Sequence, residues 1–388
     1  MRNLILIIFL LFTLNSNSQQ TTFLDGNYKA EEGGSVYIAQ YQHIVDKIIP
    51  IGNPNAKIRN VILLIGDGMG VSHVFAAMTA NNDRLYIDQA PYIGFHKTKA
   101  KDKYRTDSAA ASSAIATGKK TNYAVISSDE NHNAAPTILE YAAGNGYATG
   151  LVAACKITHA TPAAFIAHAS KRNQYQQIAT YFVSDSLDVF LGGGSDDFFK
   201  EETGINFMPG LKAKGFQIIN KLEDLKAIKK GKIAGLFANG HLEPYPQRGE
   251  FLVESTRKAI EILNQNKKGF FLMVEGSQID WAGHDNNLAY TVEETLDFDR
   301  AVGEALKFAS KDGHTLVIIT ADHETGGLSV INGDIEKGLV EGKFNTTGHS
   351  SVLVPIFTYG PGAENFVGIY ENTVIFDKMM KAFGFKIK

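Results

Sequence analysis

Short, unbroken apolar runs alternate along this chain with longer stretches of helical periodicity. "VILLIG" (61–66), "ATGLVAAC" (148–155), "GFFLMVEG" (269–276), "TLVIITADH" (315–323) and "VPIFTYGPG" (354–362) are such runs. They carry no polar alternation, which predicts strands buried on both faces. "APTILEYAAGNG", "GEFLVESTRKAIEILNQ" and "YTVEETLDFDRAVGEALKFASKDG" each precede one of them and read as amphipathic helices. In the last, Thr291 through Glu294 has the spacing of a capping box, and Gly313 stands at the stop. The alternation predicts an α/β fold with a largely parallel sheet. Residues 195–250, rich in Gly, Lys and Phe with Pro244 and Pro246, read as an insertion within the same domain.

The first residues follow another pattern. Arg2 precedes the apolar "LILIIFLLFTL" (4–14), and small Ser16 and Ser18 stand before Gln19. That is the layout of a cleavable secretory signal peptide over residues 1–18, too short for a comfortable membrane span. Residues 19–388 then form one domain, exported to the periplasm or the medium, with no stable membrane span in the mature form. Without Arg2, 37 of the 38 basic residues face 41 acidic ones, a net charge of −4. No basic surplus points to a nucleic-acid partner. Cys155 is the single cysteine, so no intrachain disulfide forms, and its apolar surroundings predict a buried, inert thiol.

Chemistry enters at "YRTDSAAASSAIATGKK" (104–120). Thr106 or Asp107 caps a helix that Gly118 stops. Ser108 then sits in the first turn, where free N–H groups attract anions. Four further segments carry groups that a metal would take. The strand at 61–66 runs into Asp67, and that at 269–276 reaches Glu275 and then Asp280 and His284. The strand from Thr315 reaches Asp322 and His323, while His349 precedes the last run. Ligands of an open α/β sheet gather at the carboxyl ends of its strands. Asp280 and His284, four apart, can face one ion from a single helical turn. Imidazole with carboxylate suits zinc; carboxylate with hydroxyl suits magnesium.

The motifs "DGMG", "TDSAA", "HATPAAFIAHASKR", "EGSQID…H", "TADHETGG" and "TGHS" occur in that order between about Val61 and Ala363. With them the chain resembles the alkaline phosphatase family, secreted metal-dependent phosphomonoesterases. The resemblance implies a central mixed sheet sandwiched between helices, and a homodimer. It implies Ser108 as nucleophile and phosphoserine, with Arg172 gripping phosphate and Asp107 steadying it. One Zn2+ would be held by Asp280, His284 and His349, and a second by Asp67, Asp322 and His323. Asp67 would bridge to a Mg2+ that Thr161 and Glu275 also bind. The substrates implied are small-molecule phosphate monoesters, with broad tolerance of the leaving group.

Two positions depart from the enterobacterial branch of the family, where an Asp and a Lys flank the metals. This chain has His159 and Trp281 there, and a nearby imidazole favours zinc over magnesium at the third site. A diesterase or sulfatase of the same superfamily fits "TDSAA" and "ASKR" less well. A non-catalytic binder has no use for an activated serine beside six metal ligands.

Overall fold

The strand Asn60–Gly66 shows why the centre of this molecule is a sheet. All seven residues are buried, so a strand with an apolar layer on each face satisfies them where a surface helix cannot. Full burial of each large aliphatic side chain there contributes about 1.5–3 kcal/mol. The computed structural model describes residues 34–129, 131 and 133–386; the leader expected over residues 1–18 lies outside them.

Ten strands share the main sheet: Asn60–Gly66 (β1), Tyr92–Lys97 (β2), Ala148–Lys156 (β3), Val189–Gly193 (β4), Phe216–Ile219 (β5), Lys232–Leu236 (β6), Phe270–Gly276 (β7), Thr315–Thr320 (β8), Val354–Tyr359 (β9) and Gly368–Glu371 (β10). Their order is β10-β2-β9-β8-β1-β7-β3-β4-β6-β5. Neighbours are parallel except for the two pairings of β9. The sheet is therefore mixed through one reversed strand. Alternate residues of β1 enter different cores, Ile62 and Leu64 on one face and Val61, Leu63 and Ile65 on the other.

Helices cover both faces. Val71–Ala80 (α1), Phe251–Leu263 (α5) and Leu288–Asp312 (α7) pack on the first core. Ser108–Thr117 (α2), Ile138–Gly144 (α3), Ala160–Ile166 (α4) and Thr373–Phe383 (α8) pack on the second. The short helix Ile279–His284 (α6) leads into α7.

Two expectations change at this level. The capping box foreseen at Thr291–Glu294 does not form, because α7 starts a turn earlier, with Asn287 accepting from the Tyr290 N–H at 3.1 Å. Thr291 instead donates back to the Asn287 carbonyl, and Glu294 is drawn into a buried ion pair with Arg248. The segment 195–250, read as an insertion, supplies β5 and β6, the outermost strands on one side of the sheet. Among the described residues no helix is long and apolar enough to cross a membrane.

Register places the site. Ile65 of β1 pairs with Glu275 of β7 and with Thr320 of β8. The Asp67 N–H then donates to the Gly276 carbonyl at 3.1 Å. Three adjacent parallel strands end level, and the chain leaves each of them on the same edge. In the turn after β1, Gly68 has φ +76°, and a Cβ there would lie 2.7 Å from the Asp280 Cα. Glycine is what lets α6 approach the strand ends.

Candidate active site

Asp107 starts the serine helix. Its backbone is extended, and Oδ1 accepts the N–H of Ala110 and of Ala124, both at 3.1 Å. Its other oxygen accepts from Arg172 Nη1 at 2.9 Å, so one carboxylate fixes both the helix start and the guanidinium. Gly118 ends the helix at φ +70°. Ser108 is the first helical residue, 1% exposed, with Oγ 3.4 Å from His323 Nε2. The first-turn N–H groups around it lack intrahelical partners and favour an anion.

Two triads stand at this end of the sheet, and the second reaches the hydroxyl through His323. In the first, Asp280 and His284 occupy one turn of α6, and His349 reaches them from a two-residue strand that pairs with Glu324–Thr325. Asp280 Oδ1 lies 3.4 Å from His284 Nε2 and 3.4 Å from His349 Nε2, and the two ring nitrogens are 3.2 Å apart. In the second, His323 Nε2 lies 3.5 Å from Asp67 Oδ1 and 3.3 Å from Asp322 Oδ2. Donors at 2.0–2.1 Å from a tetrahedral ion stand about 3.3–3.4 Å apart. These five separations, 3.2–3.5 Å, lie close to that spacing.

The tautomers agree with it. His284 Nδ1 lies 2.6 Å from the Thr347 carbonyl and His349 Nδ1 2.9 Å from the Thr106 carbonyl. Each Nδ1 must therefore carry a proton, which makes each Nε2 the nitrogen available to an ion; without one, His349 Nε2 points its own proton at Asp280. Both oxygens of Asp67, Oδ2 of Asp322 and Oε1 of Glu275 are buried without hydrogen-bond partners. Buried carboxylate oxygens are ordinarily bonded, and a divalent cation is the partner that suits these.

Electrostatics points the same way. Burial, reinforced by the charge of Asp322, raises the Asp67 carboxyl well above its ordinary range. Burial pushes Asp322 up to about 6 and Glu275 to about 7. Asp280 is the exception: burial opposes its charge, but the His349 hydrogen bond and the surrounding imidazoles hold it low. His323, buried beside His349, is held well below the ordinary imidazole range and stays neutral, as a ligand must. Arg172, itself largely buried, is the permanent cation that feels Asp107, Asp67 and Asp280.

A third pocket adjoins Asp67. Glu275 is fully buried at the end of β7, beside the hydroxyl of Thr161 on α4. Thr161 Oγ1 also accepts from Ser112 at 3.4 Å. His159 Nε2 accepts from Arg172 Nη2 at 3.2 Å. Trp281 packs edge-on to His159, with ring centres 6.2 Å apart. All the residues singled out in the sequence thus fall into one connected cluster at one sheet edge.

Sequence reasoning missed three members. Thr325 Oγ1 donates to Asp280 and lies 3.2 Å from His323 Nδ1, tying the triads together. It stands two residues after His323, on the quoted "TADHETGG", and the i, i+2 rule for extended chain could have found it. His241 sits with its ring centre 4.7 Å from that of Trp281; no local signal marks it. Cys155, read as an inert core thiol, lies 3.5 Å from Glu275 Oε2.

A family model described as Alkaline phosphatase matches residues 58–339. Alkaline phosphatase 4 of Bacillus subtilis is 37% identical, over 82% of this chain and 87% of its own. The Escherichia coli alkaline phosphatase is 33% identical, over 84% and 86%. The structure of the alkaline phosphatase from the Antarctic bacterium TAB5 superposes with a TM-score of 0.81 at 40% identity, over 85% of this chain and 99% of that one. With the cluster of carboxylates, imidazoles and serine at the strand ends, this identifies the chain as a member of the alkaline phosphatase family, a metal-dependent hydrolase of phosphate monoesters.

Proposed function

We propose that the chain cleaves phosphate monoesters through a phosphoserine on Ser108, and that the two triads are its zinc sites. Asp280, His284 and His349 hold one ion; Asp67, Asp322 and His323 hold the other. The observation that carries this is the donor spacing of 3.2–3.5 Å within the triads, the second of which reaches Ser108 Oγ through His323. When bound, such ions supply Lewis-acid stabilisation of the attacking and leaving oxygens and lower the pKa of the serine hydroxyl. By resemblance a third divalent ion, magnesium, would sit on Thr161, Glu275 and Asp67. A TAB5 alkaline phosphatase mutant with histidine replaced by aspartate is described with Mg bound in the M3 site.

The chain's own residues do the rest. Ser108 attacks phosphorus in line and carries the phosphoryl group until water releases it. The N–H groups at the start of α2 and the Arg172 fork bind the non-bridging oxygens. Asp107 keeps that fork aimed from 2.9 Å. A monoester offers the fork two free oxygens; a diester offers one fewer and adds bulk. One charge-assisted hydrogen bond is worth about 1.5–3 kcal/mol, roughly ten- to a hundredfold in kcat/KM.

Monoester and diester assays before and after chelation, on wild type and Arg172→Ser, test this. Chelation abolishing monoesterase activity, and Arg172→Ser narrowing the monoester preference, support it. A wild type that favours diesters overturns it. The leader extends the reading to location: mature protein starting near Gln19 outside the inner membrane is expected, and exported protein retaining Met1 contradicts cleavage.

A further inference from the structure

The third pocket contains a thiol that the family reading does not use. Cys155 Sγ, Glu275 and His159 bring one ligand atom each to within 4.8 Å of one another, all three buried. Cys155 stands at the end of β3, next to Glu275 on β7, in register with Ala153 one pleat away. Its Sγ–H donates to Glu275 Oε2 at 3.5 Å. A zinc ion with Zn–S of 2.3 Å and Zn–O of 2.0–2.2 Å separates tetrahedral sulfur and oxygen ligands by about 3.6 Å. The pair already has that separation.

Two neighbours give the thiol a reason to be there. Glu275 Oε1 and His159 Nδ1 are buried and without hydrogen-bond partners. Three convergent donors, one sulfur, one nitrogen and one oxygen, match the preference of zinc or cobalt. Magnesium prefers six oxygens, several of them water, and gains nothing from a thiol. We propose that Cys155 is a ligand of the third ion, which makes that pocket a Cys155–His159–Glu275 site selecting zinc over magnesium. On binding, the Cys155 S–H bond breaks, its proton leaves to solvent, and a sulfur–metal bond forms. His159 joins through Nδ1 when its ring proton resides on Nε2, which exchanges the Arg172 contact for a guanidinium free to face phosphate.

This rests on the two-triad reading above, and cobalt substitution separates the two. The full chain, stripped by chelation, is titrated with Co2+ while its absorption spectrum is followed. Visible bands that grow with the first two equivalents report the histidine triads. A thiolate-to-cobalt charge-transfer band in the near ultraviolet reports Cys155 alone, since the chain has one cysteine. The band is expected with the third equivalent, and excess Mg2+ should not displace that ion. Cys155→Ser should make zinc at this site at least about tenfold easier to displace by Mg2+. Cys155→Ala serves if the serine variant folds poorly, and the wild-type spectrum decides without either.

Saturation without the ultraviolet band, or its appearance with the first equivalent, overturns the assignment and leaves the triads standing. Absence of the visible bands sinks the triad reading, and this inference with it. A third zinc as firmly held in Cys155→Ser as in wild type overturns the claimed selectivity.

Discussion

This molecule buries two clusters of carboxylates and treats them in opposite ways. Behind α7, Glu294 and Asp297 are fully buried with Arg248, which donates to Glu294 through both terminal nitrogens and to Asp297 through Nη2, all at 2.6 Å. Arg300 adds a further 2.6 Å contact to Asp297 and a forked one to Glu250. At the sheet edge, Asp67, Asp322 and Glu275 are just as deeply buried, yet retain oxygens that nothing in the protein bonds. The first cluster carries its own cations; the second is built to receive them. Buried charge left uncompensated by side chains is where this fold places its chemistry.

The largest expected effect comes from breaking the second cluster. Asp322→Asn should lower monoester turnover at least about a thousandfold, given the several kcal/mol that a Lewis acid contributes. After chelation the same variant should melt above wild type, because one of the mutually repelling carboxylates is gone. Kinetics and melting of the loaded and stripped proteins check both halves, and a stripped variant that melts lower contradicts the picture.

Breaking the first cluster should do the reverse. Arg248→Met leaves Glu294 and Asp297 buried without their cation and should cost about 3–5 kcal/mol of stability. Metal content and turnover per folded molecule should stay near wild type. Denaturant unfolding beside metal analysis measures the two; a loss of zinc at unchanged stability would refute the division of labour.

The pH response sharpens the contrast further. Burial raises Glu275 from 4.5 to about 7 and Asp322 from 3.8 to about 6 in the metal-free fold. Carboxyls raised on folding contribute stability that is present below their unfolded values and lost as pH climbs to the folded ones. In chelated protein these two carboxyls therefore pull stability down between about pH 4 and pH 7, against the buried neutral imidazoles of His159 and His323, which pull it up, and bound metal removes the carboxyl pull. Melting curves across that range, with and without zinc, read the difference. Chelated Glu275→Gln should hold its stability better than chelated wild type as pH climbs through that interval, and an unchanged slope contradicts it.

These two clusters were unequally legible in the sequence. Asp67, Glu275, Asp322 and His323 end or follow apolar runs, so the strand-end rule alone brings them to one edge. Asp280 and His284 were legible from helical spacing, and Ser108 from its cap. Arg248 was not: it lies in a loop whose residues carry no periodicity, and its partner Glu294 looked like half of a capping box. Asn287, one turn upstream, won that helix start because its side chain reaches the Tyr290 N–H. Strands β5 and β6 give weak signals because they are only four and five residues long, with Gln217 exposed in the edge strand β5 and Gly235 interrupting β6. Cys155 is buried, as its apolar neighbours along the chain imply, while its contact with Glu275 on the adjacent strand carries no local signal.

On the proposed mechanism the open cluster arms Ser108. Acid quenching during turnover with a labelled phosphate ester, followed by peptide mapping, tests it most directly. Label is expected on the peptide containing Ser108 in zinc-loaded protein, with none after chelation and none in Ser108→Ala, which keeps its metals but loses most of its rate. Turnover with no label on Ser108, or a fully active Ser108→Ala, would contradict it.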